Sequence, residues 1–450
     1  MEILIKRRSR SDEVYQLALQ AGISPLLAHI VACRLKDFKG DINGILSPSL
    51  KYIEHPELLK DSDRAAARVV KAIRAKEYIG ILTDYDVDGV TSHAIIYRAL
   101  TEYFGFPADR IVSLIGHRLN DGYGVSAALT SRILETAKPP SLIITADCGS
   151  SDNAQITQLK AAGIDVVVTD HHAMPFEGMP EAAYAVVNPT RPDCNYPDDT
   201  IAGCMVAWLL MAHVRAKLIE VGYLAPETPK LARELDLVSL GTVADCVSIG
   251  TAINRAVVNI GLTYLNRSDR PCWRAVRTLL GKESQKLNAE DLGFQIGPRI
   301  NARSRLADPY AALNYLLAGN DGDASRYLSI LDLNNRDRRR IEREMVEAAR
   351  RQAQDQIAEG RLALVTYLEQ GHAGVQGIVA SRLTQAFGRP TIVLCDSAVP
   401  EELLGSSRSI PELHIRNVLQ QMADWQPDLF ARFGGHKGAA GLSLQRSKLG

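Results

Sequence analysis

The chain has 450 residues, in which 52 Lys+Arg balance 52 Asp+Glu, with 46% hydrophobic and 6% aromatic residues. At about 100–200 residues per domain, this length predicts two to four domains, and the ordinary hydrophobic and charged fractions exclude wholesale disorder. Zero net charge excludes a surface coated in basic residues but leaves room for a local basic groove.

The N-terminus, MEILIKRRSRSDEVYQ, has no apolar segment ahead of its basic cluster and does not read as a secretory leader. The longest apolar stretch, 202–214, is broken by Gly203 and His213 and is too short to span a bilayer. Seven cysteines without a C-x-x-C pair fit reduced thiols, so a cytoplasmic protein is expected. There is no internal repeat and no low-complexity tract.

In chain order, residues 1–64 read as a helical N-terminal cap. From about 65 to 189, short apolar runs alternate with helical patterns. Strands are predicted at 78–83, 111–115, 141–146, 164–169 and 184–187, with helices near 90–103, 126–136 and 152–162 between them. This alternation means βαβ units and a parallel sheet, and runs such as LIIT and VVV suit strands buried on both faces. The reading turns helical from Ile201 to about Leu317, which closes a first domain at 65–320. A charged helix over about 324–359 follows, within a connecting segment 321–359, and a second α/β domain fills 360–450. That domain opens on RLALVTYL, includes the strand-like TIVLC at 391–395 and ends near the glycine-rich FGGHKGAAG at 433–441.

The strongest chemical signal is TDYDVDGVTS after the first predicted strand, which places Asp84, Asp86 and Asp88 in a loop at the strand's carboxyl end. Open α/β sheets bind ligands there. Three carboxylates so close together repel unless cations neutralise them, so a divalent metal is expected. A calcium loop of the D-x-D-x-D-G type would need a Glu at its twelfth position, where Ile95 stands. A plain acidic turn remains open on this motif alone. Two more predicted strands end on matching chemistry, Asp147 in ADCGSS and Asp170-His171-His172 in TDHHAMP, and Asp245 lies near the end of a helical run. Oxygen ligands with one or two imidazoles suit Mn²⁺ or Mg²⁺ better than Zn²⁺. The set exceeds the needs of one ion, and two ions roughly 3.5–4 Å apart would clamp an in-line phosphoryl displacement.

In the order DYDVDG, DCG, DHH and AD, the chain resembles the DHH phosphoesterase superfamily and, within it, the bacterial RecJ family of single-strand-specific 5′→3′ DNA exonucleases. The resemblance extends through HRLNDGYG at 117–124, NPTRPDCNYP at 188–197, DLVSLGTVADCVSIGTAINR at 236–255 and GPRINARSRL at 297–306. GVQGIVASRL, GSSRS and GGHKGAAG resemble the DHHA1 substrate-binding domain. The implied fold is α/β, a parallel-sheet DHH catalytic domain joined by a long helix to a smaller α/β DHHA1 domain.

The resemblance also implies roles. Asp84, Asp86, Asp88, Asp147, His171 and Asp245 would ligate two divalent cations, Mn²⁺ or Mg²⁺, with Asp147 as the bridge and His172 facing the scissile phosphate. Arg118 would neutralise charge on phosphate. Arg299, Arg305, Ser406, Arg408, Gly434, Gly435 and His436 would bind substrate, with Ser406 and Arg408 at the terminal 5′ phosphate. The glycines of GGHKGAAG would let backbone N–H groups approach phosphate. Tyr85, Tyr123 and Tyr310 are open between base stacking and interior packing, and Cys148 reads as a packing residue. The implied activity is hydrolysis of single-stranded DNA from its 5′ end to mononucleotides, by a monomer that a single-strand-binding protein or a helicase would assist. Two alternatives stay open: a phosphodiesterase acting on short oligonucleotides or RNA, and a non-catalytic, Cdc45-like nucleic-acid-binding protein.

Three departures stand against the family pattern. Arg303 and Ser304 occupy a small-residue pair, Met205 replaces a usual glycine, and only nine residues follow Gly441, where bacterial relatives carry an OB-fold. Weak strand binding without a partner is therefore expected.

Overall fold

Continuous apolar strands separated by helices produce a parallel sheet with both faces covered. The computed structural model describes residues 7–36, 38–118, 121–175, 177–397 and 399–449. Leu119 and Asn120 of the HRLNDGYG segment lie outside the described residues.

Helices α1 (Asp12–Gln20), α2 (Pro25–Arg34), α3 (Ile42–Leu46) and α4 (Ser62–Ala75) precede the first strand. Ser11 and Ser24 cap the first two by accepting a first-turn backbone N–H. Then come β1 (Ile79–Thr83), α5 (Val87–Arg98), β2 (Ile111–Ile115), α6 (Ala127–Leu134), β3 (Leu142–Ala146), α7 (Asn153–Ala161), β4 (Asp165–Thr169) and β5 (Ala185–Val187). The five strands pair in the order β2-β1-β3-β4-β5, all parallel. Every residue of β1 and β3 is buried. The strand ends that carry the acidic motifs are therefore three adjacent strands, β1, β3 and β4.

The helical stretch comprises α8 (Gly203–Glu220), α9 (Leu235–Ala244), α10 (Ala252–Arg267), α11 (Pro271–Leu280), α12 (Ala289–Asp291), α13 (Gly297–Leu306) and α14 (Tyr310–Leu316). A π-helical turn, Leu292–Ile296, runs straight into α13. The charged segment forms α15 (Asp321–Ala358), 38 residues long and laced by i,i+4 pairs such as Arg338–Glu342 and Arg340–Glu344.

Beyond it lie β6 (Leu364–Leu368), α16 (Ala373–Phe387), β7 (Thr391–Asp396), β8 (Glu402–Arg408), α17 (Ile415–Trp425), β9 (Arg432–Gly435) and β10 (Ala439–Gln445). They build a second five-stranded sheet, ordered β6-β7-β8-β10-β9 and antiparallel except for β6-β7. The chain divides into two compact units. One runs through Asn301 and includes Pro309–Leu328; the other comprises Ala302–Asp308 and the chain from Ser329 onward.

Two expectations change. Asp88 is not in a loop: α5 starts at Val87, because the Asp86 carboxylate caps it by accepting the N–H groups of Asp88 (2.9 Å) and Gly89 (3.1 Å). The glycine-rich run at 433–441 is the β9–β10 hairpin, in which the His436 N–H is spent on the Ala439 carbonyl (2.7 Å). Gly435 is required there by its φ of 144° and because a Cβ would lie 2.4 Å from the Ala439 carbonyl oxygen. Among the described residues, no helix is long and apolar enough to cross a membrane.

Candidate metal centre

The carboxyl ends of β1, β3 and β4 deliver Asp84, Asp147 and Asp170 in register, since Thr83, Ala146 and Thr169 pair across the three strands. The first turn of α5 adds Asp86 and Asp88, the residues after Asp170 add His171 and His172, and the C-terminal end of α9 adds Asp245. Three groups converge: Asp84–Asp86–Asp147, Asp88–His171–Asp245 and Asp147–His171–His172, each with one ligand atom per residue within 4.8 Å of the others. Asp147 belongs to two of them, the position expected of a bridge. His171 Nε2 lies 3.2 Å from Asp147 Oδ1, 3.7 Å from Asp88 Oδ2 and 3.7 Å from Asp245 Oδ2.

The charge balance of this pocket calls for cations. Burial pushes Asp84 and Asp147 well above the usual carboxylate range, and neighbouring carboxylates push them further. Asp88 is raised mainly by burial, and burial with Asp88 and Asp86 lifts Asp245 to about 8. Asp84 Oδ1 and His171 Nε2 are buried and accept or donate no hydrogen bond among the described residues. These atoms, together with a donor set of carboxylate oxygens and imidazole, fit two hard or borderline divalent ions. The nearby thiol does not belong to the set: Cys148 is buried, its Sγ lies 3.6 Å from the Ala146 carbonyl, and burial raises its pKa strongly.

The backbone is bent to aim these groups. Asp147 adopts φ 60°, a left-handed conformation costing roughly 1–2 kcal/mol for a residue with a Cβ. Its N–H donates to the Thr169 carbonyl at 3.1 Å, so β4 holds the bend in place. Cys246, next to Asp245, has φ 61°.

Asp88 is seated against the start of α8, whose Gly203 N–H and Cys204 N–H donate to its two oxygens at 2.7 and 3.0 Å. A Cβ on Gly203 would lie 2.9 Å from Asp147 Cβ, and one on Gly241 would lie 2.7 Å from Asp88 Oδ1. Neither glycine emerged from motif reading. Their signal was a glycine at the head of an apolar helix and another inside a buried one.

Asp170 is a hub that does not itself join the ligand groups. Its Oδ1 accepts the N–H groups of His171 (2.8 Å) and His172 (3.2 Å) and the His172 Nδ1–H (2.8 Å), and its Oδ2 accepts the Ser150 N–H (3.0 Å). Burial would raise Asp170, but hydrogen bonds from His172 and Ser150 outweigh it and hold the carboxyl at about 2. Burial would likewise lower His172, yet its bond and charge contact with Asp170 raise it to about 9. That shift favours the protonated imidazole of His172, which stands half-exposed at the edge of the cluster. Tyr123 stands edge-on to that ring, centroids 5.8 Å apart, with its hydroxyl 3.2 Å from His172 Nε2 and donating to the Asp147 carbonyl at 3.3 Å.

Arg118 lies over the Tyr85 ring, its Cζ 4.1 Å from the centroid, and its buried Nε finds no hydrogen-bond partner among the described residues. Tyr85 itself is buried, and Tyr310 bonds to the backbone of β2, so interior packing accounts for both.

The remaining substrate-binding candidates divide between the units. Arg299 is in the first, where it donates to the Gln295 carbonyl (2.6 Å). Arg305 is in the second, donating to the Gly374 carbonyl at the start of α16 (2.8 Å). One turn along that helix, Gly377 faces Ser406 Oγ and Arg408 Nη2, and Arg408 donates to Ser406 Oγ at 3.2 Å. Ser406, Gly441 and Gly434 stand side by side across β8, β10 and β9. The divergent Arg303 is tied down by Asp308 (2.5 Å) and Asn334 (3.1 Å), so its charge is already paired, while Ser304 and Met205 are buried.

Comparison with known proteins finds one family match within each unit. The "DHH family, N-terminal domain" matches residues 78–242, and the "DHHA1 domain" matches residues 362–449. The single-stranded-DNA-specific exonuclease RecJ of Salmonella typhimurium is 36% identical over 98% of this chain and 75% of its own length. A crystal structure of exonuclease RecJ bound to manganese aligns with TM-score 0.72 and 32% identity, covering 86% of this chain and 91% of that one. RecJ from Thermus thermophilus in complex with Mn²⁺ aligns with TM-score 0.77 and 28% identity, covering 97% of this chain and 59% of that one.

Proposed function

The chain belongs to the RecJ family of DHH proteins, and from that premise we propose that it is a divalent-metal-dependent exonuclease that hydrolyses single-stranded DNA from the 5′ end to mononucleotides. The observation that carries this is the convergence of five aspartates and His171 at the ends of three adjacent strands and two helices. Asp84, Asp86 and Asp147 would hold one Mn²⁺ or Mg²⁺, and Asp88, His171, Asp245 and Asp147 the other. The chemistry such a pair would supply is polarisation of a phosphoryl oxygen and activation of water for in-line displacement.

The protein's own groups supply the rest. The His172 imidazolium, oriented by Asp170 and Tyr123, offers an N–H and a positive charge to a phosphate oxygen. Arg118, whose Cζ lies over the Tyr85 ring, would offer a guanidinium fork to the same anion. In the second unit, Ser406 and Arg408 would take the terminal 5′ phosphate, with Arg305 and the Gly434–His436 hairpin as further substrate contacts; Arg299 would bind substrate in the first unit. The domain limits we assign are a helical cap at 1–64, a catalytic domain at 65–320, a connecting helix at 321–359 and a DHHA1 domain at 360–450. All seven cysteines are free, which suits a cytoplasmic setting. A single-strand-binding protein or helicase would supply extra hold on the strand.

The test is digestion of 5′-phosphorylated single strands labelled at one end or the other, with Mn²⁺ or with chelator. Early release of the 5′ label as a mononucleotide, only with metal, is the expected result. Early release of the 3′ label would reverse the polarity, preference for short oligomers or RNA would change the substrate, and no release with Mn²⁺ would leave a binding protein.

A further inference from the structure

Phe294 is 70% exposed, although the other large apolar members of its π-helical turn, Leu292 and Ile296, are buried. Turns of this kind push one residue out of helical register and recur at functional sites. This turn is anchored to the metal-ligand loops on its inner side. A Cβ on Gly293 would lie 3.3 Å from Val243 Cγ1, and one on Gly297 would lie 3.4 Å from Ala244 Cβ and 3.8 Å from Val87 Cγ2. Val243 and Ala244 lead directly into Asp245, and Val87 sits between Asp86 and Asp88. One turn further, Asn301 Oδ1 accepts the Val87 N–H at 3.1 Å. Phe294, three residues before Gly297, is the exposed large apolar member of this anchored turn. The Arg299 guanidinium reaches back to the same turn through the Gln295 carbonyl.

An exposed ring and a guanidinium bonded to the same turn, on a turn packed against the segments that carry Asp86, Asp88 and Asp245, form the combination that receives an unstacked base with its backbone phosphate. A protein partner would call for a broader apolar patch than one ring. We propose that Phe294 is a stacking platform for a base one or two nucleotides from the scissile phosphate. The inference rests on the single-strand reading above. Stacking engages the π-face that every base carries, so the contact adds affinity without sequence preference.

The experiment compares wild type, Phe294→Ala, Phe294→Leu and Phe294→Trp on single strands whose terminal nucleotides are intact or abasic, with Mn²⁺. Phe294→Ala should raise KM for intact strands about five- to tenfold with kcat little changed, given the usual worth of base–aromatic stacking. Phe294→Trp should restore KM and Phe294→Leu should not, because a leucine covers surface but cannot stack. On abasic strands, wild type should fall to the level of Phe294→Ala, with no further loss in the variant. Equal fold losses on intact and abasic strands, or full rescue by leucine, would overturn the proposal while leaving the exonuclease reading in place. If wild type fails to cleave any strand with Mn²⁺, the exonuclease reading itself falls. A melting temperature for Phe294→Ala matching wild type, as expected for so exposed a ring, assigns the KM change to the substrate contact.

Discussion

Gly203 donates its backbone N–H to Asp88 Oδ2 at 2.7 Å, and the absence of a side chain lets it pass beside the Cβ of Asp147. The head of α8 thereby orients one carboxylate of the metal centre, at a point where its dipole and that of the neighbouring Cys204 amide favour negative charge. Gly203→Ala should displace Asp88 or Asp147 by a few tenths of an ångström. Outer-shell changes of this kind cost about 10- to 100-fold in metal affinity. Mn²⁺ titration by calorimetry should show that loss, with the metal-free protein still folded by circular dichroism. Unchanged affinity would remove Gly203 from the centre.

The raised carboxyls predict a pH effect on the metal-free protein. An unfolded aspartate titrates near 3.9, whereas Asp245 titrates at about 8 in the fold. Between these values the native state holds more protons than the unfolded one, so stability contributed by Asp245 falls as pH rises. His172, raised to about 9, acts in the same direction above its ordinary range. His93, which burial lowers to about 3, opposes them only below pH about 6.5. Denaturant melts in chelator should therefore show declining stability from pH 7 to 8. Asp245→Asn should flatten that slope, and saturating Mn²⁺ should cancel it. A slope unaffected by Asp245→Asn would contradict the assignment.

Tyr123→Phe removes a hydroxyl that touches His172 and donates to the Asp147 carbonyl, while leaving the edge-on ring. A hydrogen bond of this type contributes about 0.5–1.5 kcal/mol. The expected outcome is a roughly two- to tenfold lower kcat with KM nearly unchanged, read by steady-state kinetics on one substrate. A change confined to KM would make the hydroxyl a strand contact instead.

Arg408→Ala removes the guanidinium that lies against Ser406 on β8. Hydrogen bonds to charged groups contribute about 1.5–3 kcal/mol, so KM for 5′-phosphorylated strands should rise at least about tenfold. Strands ending in a 5′ hydroxyl should lose little. Equal losses on both substrates would detach Arg408 from the terminal phosphate.

The sequence by itself determined the chemistry of the centre and the placement of the first sheet's strands along the chain. Metal ligation follows from residue type, and Asp84, Asp147 and, two residues beyond β4, His171 follow apolar runs whose burial makes them strands. The same local signals set the strands within a residue or so of their observed ends. Tertiary structure decided how those ligands are held. The Asp88–Gly203 bond spans 115 residues, and the need for glycine at 203 and 241 arises only when α8 and α9 close on α5. Helix α5 began earlier than its apolar pattern suggested, since a cap formed by Asp86 outweighs periodicity at a helix start. The left-handed backbone of Asp147, a conformation Asp tolerates better than most residues, is fixed by long-range partners: its N–H pairs with the Thr169 carbonyl of β4 and its carbonyl accepts the Tyr123 hydroxyl. Residue identity marks the candidate ligands; closure of distant backbone segments around them decides their geometry.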